Sequence, residues 1–252
     1  MTRRDLRAAL VVTALLVLAA GLIAALPGLT RLTHSAGTPV PTATYAADAL
    51  TGRLGAPVVP GTHHRRVPHD RVPAGTPGAG MGRVLLRQLI VAPHEQGPTY
   101  RRDEFGTAWA DTDHNRCDTR NDVLAAWLID IQTRGCSVIE GQLVDPYTGA
   151  HLVHPSTIDI DHVVSLGDAW RSGAARWSKD RRIEFANDPR HLVPVSASIN
   201  RSKGDKPAET WLPPDPAYHC DYALIIIATK HAYRLTVTTI ERNALDAALM
   251  TC

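Results

Sequence analysis

Ile158-Asp159-Ile160-Asp161-His162-Val163-Val164 alternates apolar and polar residues with a period of two, as a half-buried β-strand does. The alternation puts Asp159 and Asp161 on one face and turns His162 to the other unless the strand ends there. An Asp-His pair at a strand end lets the carboxylate hold a metal ion while the imidazole addresses a nearby water. About forty residues on, Ile199-Asn200-Arg201-Ser202-Lys203-Gly204-Asp205-Lys206 sets an amide beside a cluster of cations. An Asn carbonyl is a hard, neutral oxygen donor that suits Mg²⁺, an ion that takes few protein ligands and keeps its waters. Between the two stretches lies Asn187-Asp188-Pro189-Arg190-His191-Leu192-Val193-Pro194-Val195.

Upstream, Asp118-Thr119-Arg120-Asn121-Asp122 reads as a capped helix start. Val123, Leu124, Trp127, Leu128 and Ile131 follow at helical spacing, which predicts a helix over 119–132. Asp111-x-Asp113-x-Asn115 opens like a calcium loop. Arg116 stands where such a loop needs Gly and Asp122 where it needs Glu, so the segment reads as a turn into that helix. Residues 137–143 and 157–166 are rich in Val and Ile, and Asp145-Pro146-Tyr147-Thr148-Gly149 between them is turn chemistry, which predicts two short strands. Helices are expected over 168–177, 179–186, 196–203, 218–233 and 238–250. The pattern is mostly helical with a small antiparallel element, an α+β fold. Trp109, Trp127, Trp170 and Trp177 each fall within an apolar pattern and read as core or rim rings.

The chain has 252 residues, 44% hydrophobic and 21% charged, a composition that excludes wholesale disorder and a polytopic membrane architecture. Arg3, Arg4 and Arg7 precede an uncharged run from Ala8 to Leu26, roughly 29 Å long as a helix and close to one bilayer core. Residues 1–28 therefore read as a signal peptide or an N-terminal membrane anchor. Basic residues ahead of the run leave the remainder outside the cytoplasm, secreted or tethered to the outer face of the membrane. Residues 29–81 are rich in Pro and Gly and read as a tether. Residues 82–252 read as one domain. Cys117, Cys136, Cys220 and Cys252 contain no C-x-x-C pair, which in an exported chain argues for two disulfides. Three connectivities are possible, and sequence-local pairing favours Cys117 with Cys136 and Cys220 with Cys252.

The order Asp161-His162-Val163-Val164, then His191-Leu192-Val193, then Asn200-Arg201-Ser202-Lys203-Gly204-Asp205 resembles the HNH endonuclease motif. More narrowly, the chain is similar to exported actinobacterial HNH-family proteins related to the GmrSD restriction endonuclease C-terminal domain. The similarity runs from about Tyr100 to Cys252 and takes in Trp109-Ala110-Asp111, Cys117-Asp118-Thr119-Arg120, Asp145-Pro146-Tyr147-Thr148-Gly149 and Trp211-Leu212-Pro213-Pro214. The resemblance implies a ββα-metal core embedded in a mostly helical domain. It implies that His162 is the general base, that Asp161 and Asn200 hold Mg²⁺ (or Mn²⁺), and that DNA, with RNA second, is the substrate. The middle letter of the motif is usually Asn and steadies the loop. Here it is His191, whose imidazole either replaces those hydrogen bonds or faces the metal as a further ligand of the catalytic site.

Charge distribution points the same way. Residues 171–206 carry nine Lys or Arg against four Asp or Glu, whereas residues 82–252 carry 19 against 22. Arg201, Lys203 and Lys206 are the candidates for phosphate contact. Two rival classes share these features: a catalytically silent module that holds extracellular nucleic acid or another anionic polymer, and a metal-dependent phosphoesterase acting on small substrates. A membrane partner follows only if the N-terminal segment stays uncleaved, and no protein partner can be inferred.

Overall fold

The computed structural model describes residues 72–252. It runs through helix α1 (Ala79–Gln88), strand β1 (Ile90–Val91), helix α2 (Thr119–Trp127) and strands β2 (Ile129–Arg134), β3 (Ser137–Val144), β4 (His151–Leu152) and β5 (Ile158–His162). Helices α3 (Leu166–Arg171) and α4 (Lys179–Ala186) follow, then strand β6 (Leu192–Ser196), helices α5 (Ala197–Lys203) and α6 (His219–Tyr233), strand β7 (Thr236–Val237) and helix α7 (Thr239–Leu249). The architecture is α+β. Among the described residues there are three small sheets: β1 with β7 in parallel, antiparallel β2-β3-β4, and antiparallel β5-β6.

Helix α6 forms the core because it is apolar on nearly every side, with every residue from Tyr222 to Ile227 buried. Helices α1 and α7 pack against it. Gly82 permits the approach of α1: a Cβ there would stand 2.2 Å from Leu224 Cδ2. Lys230, on α6, is fully buried between Asp168 of α3 (2.9 Å) and Glu241 of α7 (2.6 Å), so three helices share one charge cluster. Burial pushes the Glu241 carboxyl up to about 7, with Lys230 opposing the shift and Asp168 adding to it.

Two predicted helices are shorter than their patterns. The helix expected over 119–132 ends at Trp127, and residues from Ile129 onward pair with β3. The β-branched Ile129, Ile131 and Thr133 suit a strand, and Asp130 at φ +53° breaks the helical path. Ile131, which the helical spacing had placed on the buried face, is exposed. The helix expected over 168–177 is α3, which stops at Arg171; Gly173 then turns the chain at φ +129°. The strand expected over 157–166 ends at His162, and Ser165 instead caps α3 by accepting a hydrogen bond from the Asp168 amide.

Helix α1 begins at Ala79, among the last residues that composition assigns to the tether. The apolar run Ala8 to Leu26 lies outside the described residues. Among those described, no helix is long and apolar enough to cross a membrane.

Both disulfides follow the sequence-local pairing, Cys117–Cys136 and Cys220–Cys252. The second ties the final residue to the start of the core helix α6. Loops of this size restrict the unfolded chain by roughly 3 to 4 kcal/mol each in the chain-entropy model. Cys220→Ser/Cys252→Ser is therefore expected to lower the urea midpoint without changing activity at 25 °C, and an unchanged midpoint would contradict the assignment of that bond to stability.

Candidate active site

The alternating strand reads correctly at its centre. Ile158 and Ile160 are buried, and β5 pairs with β6 so that Asp161 lies opposite Val193 and His162 opposite Leu192. His162 is the last residue of β5, and Val163 N donates to His191 O at 2.9 Å to close the pair. Helix α5 follows β6 directly and packs on both strands. Asn200 and Lys203 are three residues apart on α5 and so share one face, the one that meets β5.

Asp161 is 3% exposed and lies in a cage. Lys203 Nζ donates to Oδ1 at 2.7 Å and Oδ2 at 2.8 Å, and also to the His162 carbonyl at 2.7 Å. Tyr147 hydroxyl donates to Oδ2 at 2.6 Å. Burial pushes the Asp161 carboxyl above the usual aspartate range, and the ammonium and its hydrogen bonds oppose that push. Tyr147 is held by its own turn: Asp145 accepts from Tyr147 N, Thr148 Oγ1 and Ser196 N, which fastens the turn to the start of α5.

His162 is also buried. Its Nε2 stands 2.8 Å from the Ala186 carbonyl, which can only accept, so the neutral ring carries its proton on Nε2 and leaves the Nδ1 lone pair uncommitted. Burial pushes its pKa well below the ordinary histidine value, with His191 adding to the shift, so the ring is neutral at pH 7. Trp109 stacks on the imidazole with centroids 5.4 Å apart and planes 9° from parallel. The Trp109 backbone is at φ +58°, held there in part by Ala110 N donating to Asn187 Oδ1.

His191 repeats the His162 contact one residue earlier. Its Nε2 donates to the Phe185 carbonyl at 2.8 Å, so two histidines grip consecutive carbonyls at the end of α4. The ring is fully buried against Phe185, with centroids 4.4 Å apart, and burial lowers its pKa to about 4. It does not line the cleft described next. A positioning role predicts that His191→Asn folds and keeps the parental order of preference among Mg²⁺, Mn²⁺ and Zn²⁺. A changed preferred metal in cleavage assays would put the imidazole at the ion instead.

A cleft of about 230 Å³ is lined by Asp161, His162 and Asn200 together with Tyr100, Arg102 and Asp205. Asn200 Nδ2 donates to Asp159 Oδ2 at 3.3 Å, which turns its amide oxygen away from that carboxylate. Asp161 Oδ1 accepts from Lys203 alone and keeps an acceptor site. Hard oxygens from one carboxylate and one amide, with water for the rest, fit Mg²⁺ or Mn²⁺. Among the described residues no group of three or more His, Cys, Asp or Glu is placed to hold an ion.

The three phosphate candidates separate. Arg201 and Lys206 are exposed, and Lys206 Nζ reaches the Ser202 carbonyl at 2.6 Å. Lys203 is 0% exposed and spends its ammonium on Asp161 and the His162 carbonyl, which removes it from phosphate contact. Sequence reasoning missed Tyr147, Trp109 and Asn187. It took the first as turn chemistry and the second as a core or rim ring, and no local pattern ties either to a residue far along the chain. The helical spacing of Asn200 and Lys203 was the one available sign that Lys203 belongs to the site's interior.

A profile of the GmrSD restriction endonucleases, C-terminal domain, matches residues 102–247. The chain belongs to that family. The GmrSD C-terminal match spans all the residues of the cleft except Tyr100 and places the protein among nuclease-related domains. An "Uncharacterized secreted protein" of the fungus Arthroderma benhamiae is 39% identical over 183 residues, covering 71% of this chain and 89% of that relative. That relative is fungal, and the narrower likeness to actinobacterial proteins gains no support from it. No solved structure matches the chain.

Proposed function

We propose that the protein is an exported, metal-dependent DNA endonuclease of the HNH type with a ββα-metal core formed by β5, β6 and α5. The observation that carries this reading is one cleft, in a GmrSD C-terminal domain, where a neutral histidine with an uncommitted Nδ1 stands beside Asp161 and Asn200. Asp161 and Asn200 would hold Mg²⁺ or Mn²⁺, which when bound stabilises negative charge on the phosphoryl oxygens and the leaving oxygen.

The residues of the chain do the rest. The Ala186 carbonyl fixes the His162 tautomer, and Trp109 fixes the plane of the ring. His162 Nδ1 takes a proton from a water as the water oxygen bonds to phosphorus and the bond from phosphorus to the 3′ oxygen breaks. The 3′ oxygen leaves as a hydroxyl after gaining a proton from solvent, so the products carry 5′-phosphate and 3′-hydroxyl ends. Lys203 and Tyr147 hold the Asp161 carboxylate in place. Two disulfides and a similar protein that bears the name secreted support an extracellular location.

The ion pair between Lys203 and Asp161 favours one second reading, a catalytically silent module that binds nucleic acid or another anionic polymer. Incubating supercoiled plasmid with the purified protein in Mg²⁺, Mn²⁺ or chelator separates the two. Nicking that needs the ion supports the nuclease; retention of intact plasmid in a gel-shifted complex under every condition supports the silent module.

A further inference from the structure

His162 stands between two cavities. One is the cleft of about 230 Å³ that contains Asp161 and Asn200; the other, about 20 Å³, is lined by Gly106, Thr107, Trp109 and Ala186. One water needs roughly 10–15 Å³ of such space, so the smaller cavity has room for about one. The two share only three residues, His162, Leu166 and Arg102. Among the described residues Arg102 is therefore the one fixed positive charge that borders both sides of the candidate base.

The other cations near the cleft are engaged or lie elsewhere. Lys203 is buried on Asp161, and Arg171 is bound by Asp205 at 2.6 Å. Neither Arg201 nor Lys206 lines the cleft. Among the described residues Arg102 forms no ion pair, and its neighbour in the cleft is the Tyr100 hydroxyl. An exposed guanidinium with no carboxylate in ion-pair contact presents a planar fork that matches two oxygens of a phosphate, although Asp161 and Asp205 line the same cleft.

We propose that Arg102 is the phosphate-gripping residue of this cleft, binding the non-bridging oxygens of a phosphodiester seated between Asn200 and His162. The assignment rests on the nuclease reading for its substrate, but phosphate binding can be read separately. Inorganic phosphate is titrated into ¹⁵N-labelled protein without divalent ions, and the His162 ring resonances are followed by NMR. Phosphate is expected to shift them in the parent, with affinity at least about tenfold weaker in Arg102→Gln and intermediate in Arg102→Lys, which keeps the charge and loses the fork. Plasmid cleavage by Arg102→Gln is expected to fall by on the order of 10² to 10³, as when one transition-state donor is removed. Thermal unfolding is expected to match the parent because Arg102 is exposed.

Equal phosphate affinity in the parent and Arg102→Gln overturns the proposal, as does cleavage at the parental rate by that variant. A parent that binds phosphate through Arg102 and cleaves no plasmid keeps the subsite and removes the nuclease reading. If Arg102→Gln does not fold, the Arg102→Lys titration decides alone, parental affinity counting against the proposal.

Discussion

His162→Ala is expected to reduce plasmid cleavage by on the order of 10³, within the range that general-base removal costs, while the variant binds DNA in chelator as the parent does. The surroundings of the imidazole set both its protonation state and its free nitrogen: burial keeps it neutral, and the Ala186 carbonyl leaves Nδ1 uncommitted. Arg201 and Lys206, the exposed candidates for phosphate contact, are untouched by the change. Added imidazole is expected to restore part of the rate, because truncation leaves a space beside Trp109 where the ring stood. Single-turnover cleavage measured beside a gel-shift titration checks both halves. Full activity in the variant would take His162 out of the reaction.

The second large effect is on the fold. Lys203→Met is expected to cost about 3–5 kcal/mol of unfolding free energy, the penalty for leaving one member of a buried ion pair without its partner. Asp161 would keep only the Tyr147 hydroxyl while remaining buried, and the His162 carbonyl would lose its donor. For a domain of this size the loss corresponds to a melting temperature lower by roughly 10 °C. Replacing both charges is expected to cost less than replacing one, so Lys203→Met/Asp161→Asn should be more stable than Lys203→Met alone. Urea unfolding of the parent, both single variants and the pair checks the coupling. A Lys203→Met protein as stable as the parent would show that the pair does not hold the site together.

Much of the core architecture was legible because it is local. Helix α4 coincides with its predicted span, the expectations for α5 and α6 start one residue early and end where the helices end, and that for α7 is one residue long at each end. Those segments carry their own apolar spacing or caps, such as Thr238 accepting from the Glu241 amide at the start of α7. The errors fell where a strand partner overrode local spacing. Val123, Leu124 and Trp127 do form a buried helical stripe that Leu128 extends as a buried cap, and pairing with β3, with the turn of the backbone at Asp130, ends it before Ile131.

The candidate site divides along the same line. Residue types and order in Asp161-His162 and Asn200-Arg201-Ser202-Lys203 were enough to mark two distant segments as one unit, and Asp161, His162 and Asn200 do line one cleft. The sequence also determined that no cysteine pair had zinc spacing, and the cysteines pair with their neighbours along the chain.

Only the tertiary structure decided what each side chain faces. It turned Lys203 from a surface cation into the buried partner of Asp161, set Trp109 on the face of His162, and joined His162 and His191 to consecutive carbonyls of α4. These contacts span 24 to 53 residues or arise where three elements meet. The physical reason is that spacing along a chain determines which residues share a face, whereas burial, partner and free lone pair depend on what another segment brings to that face.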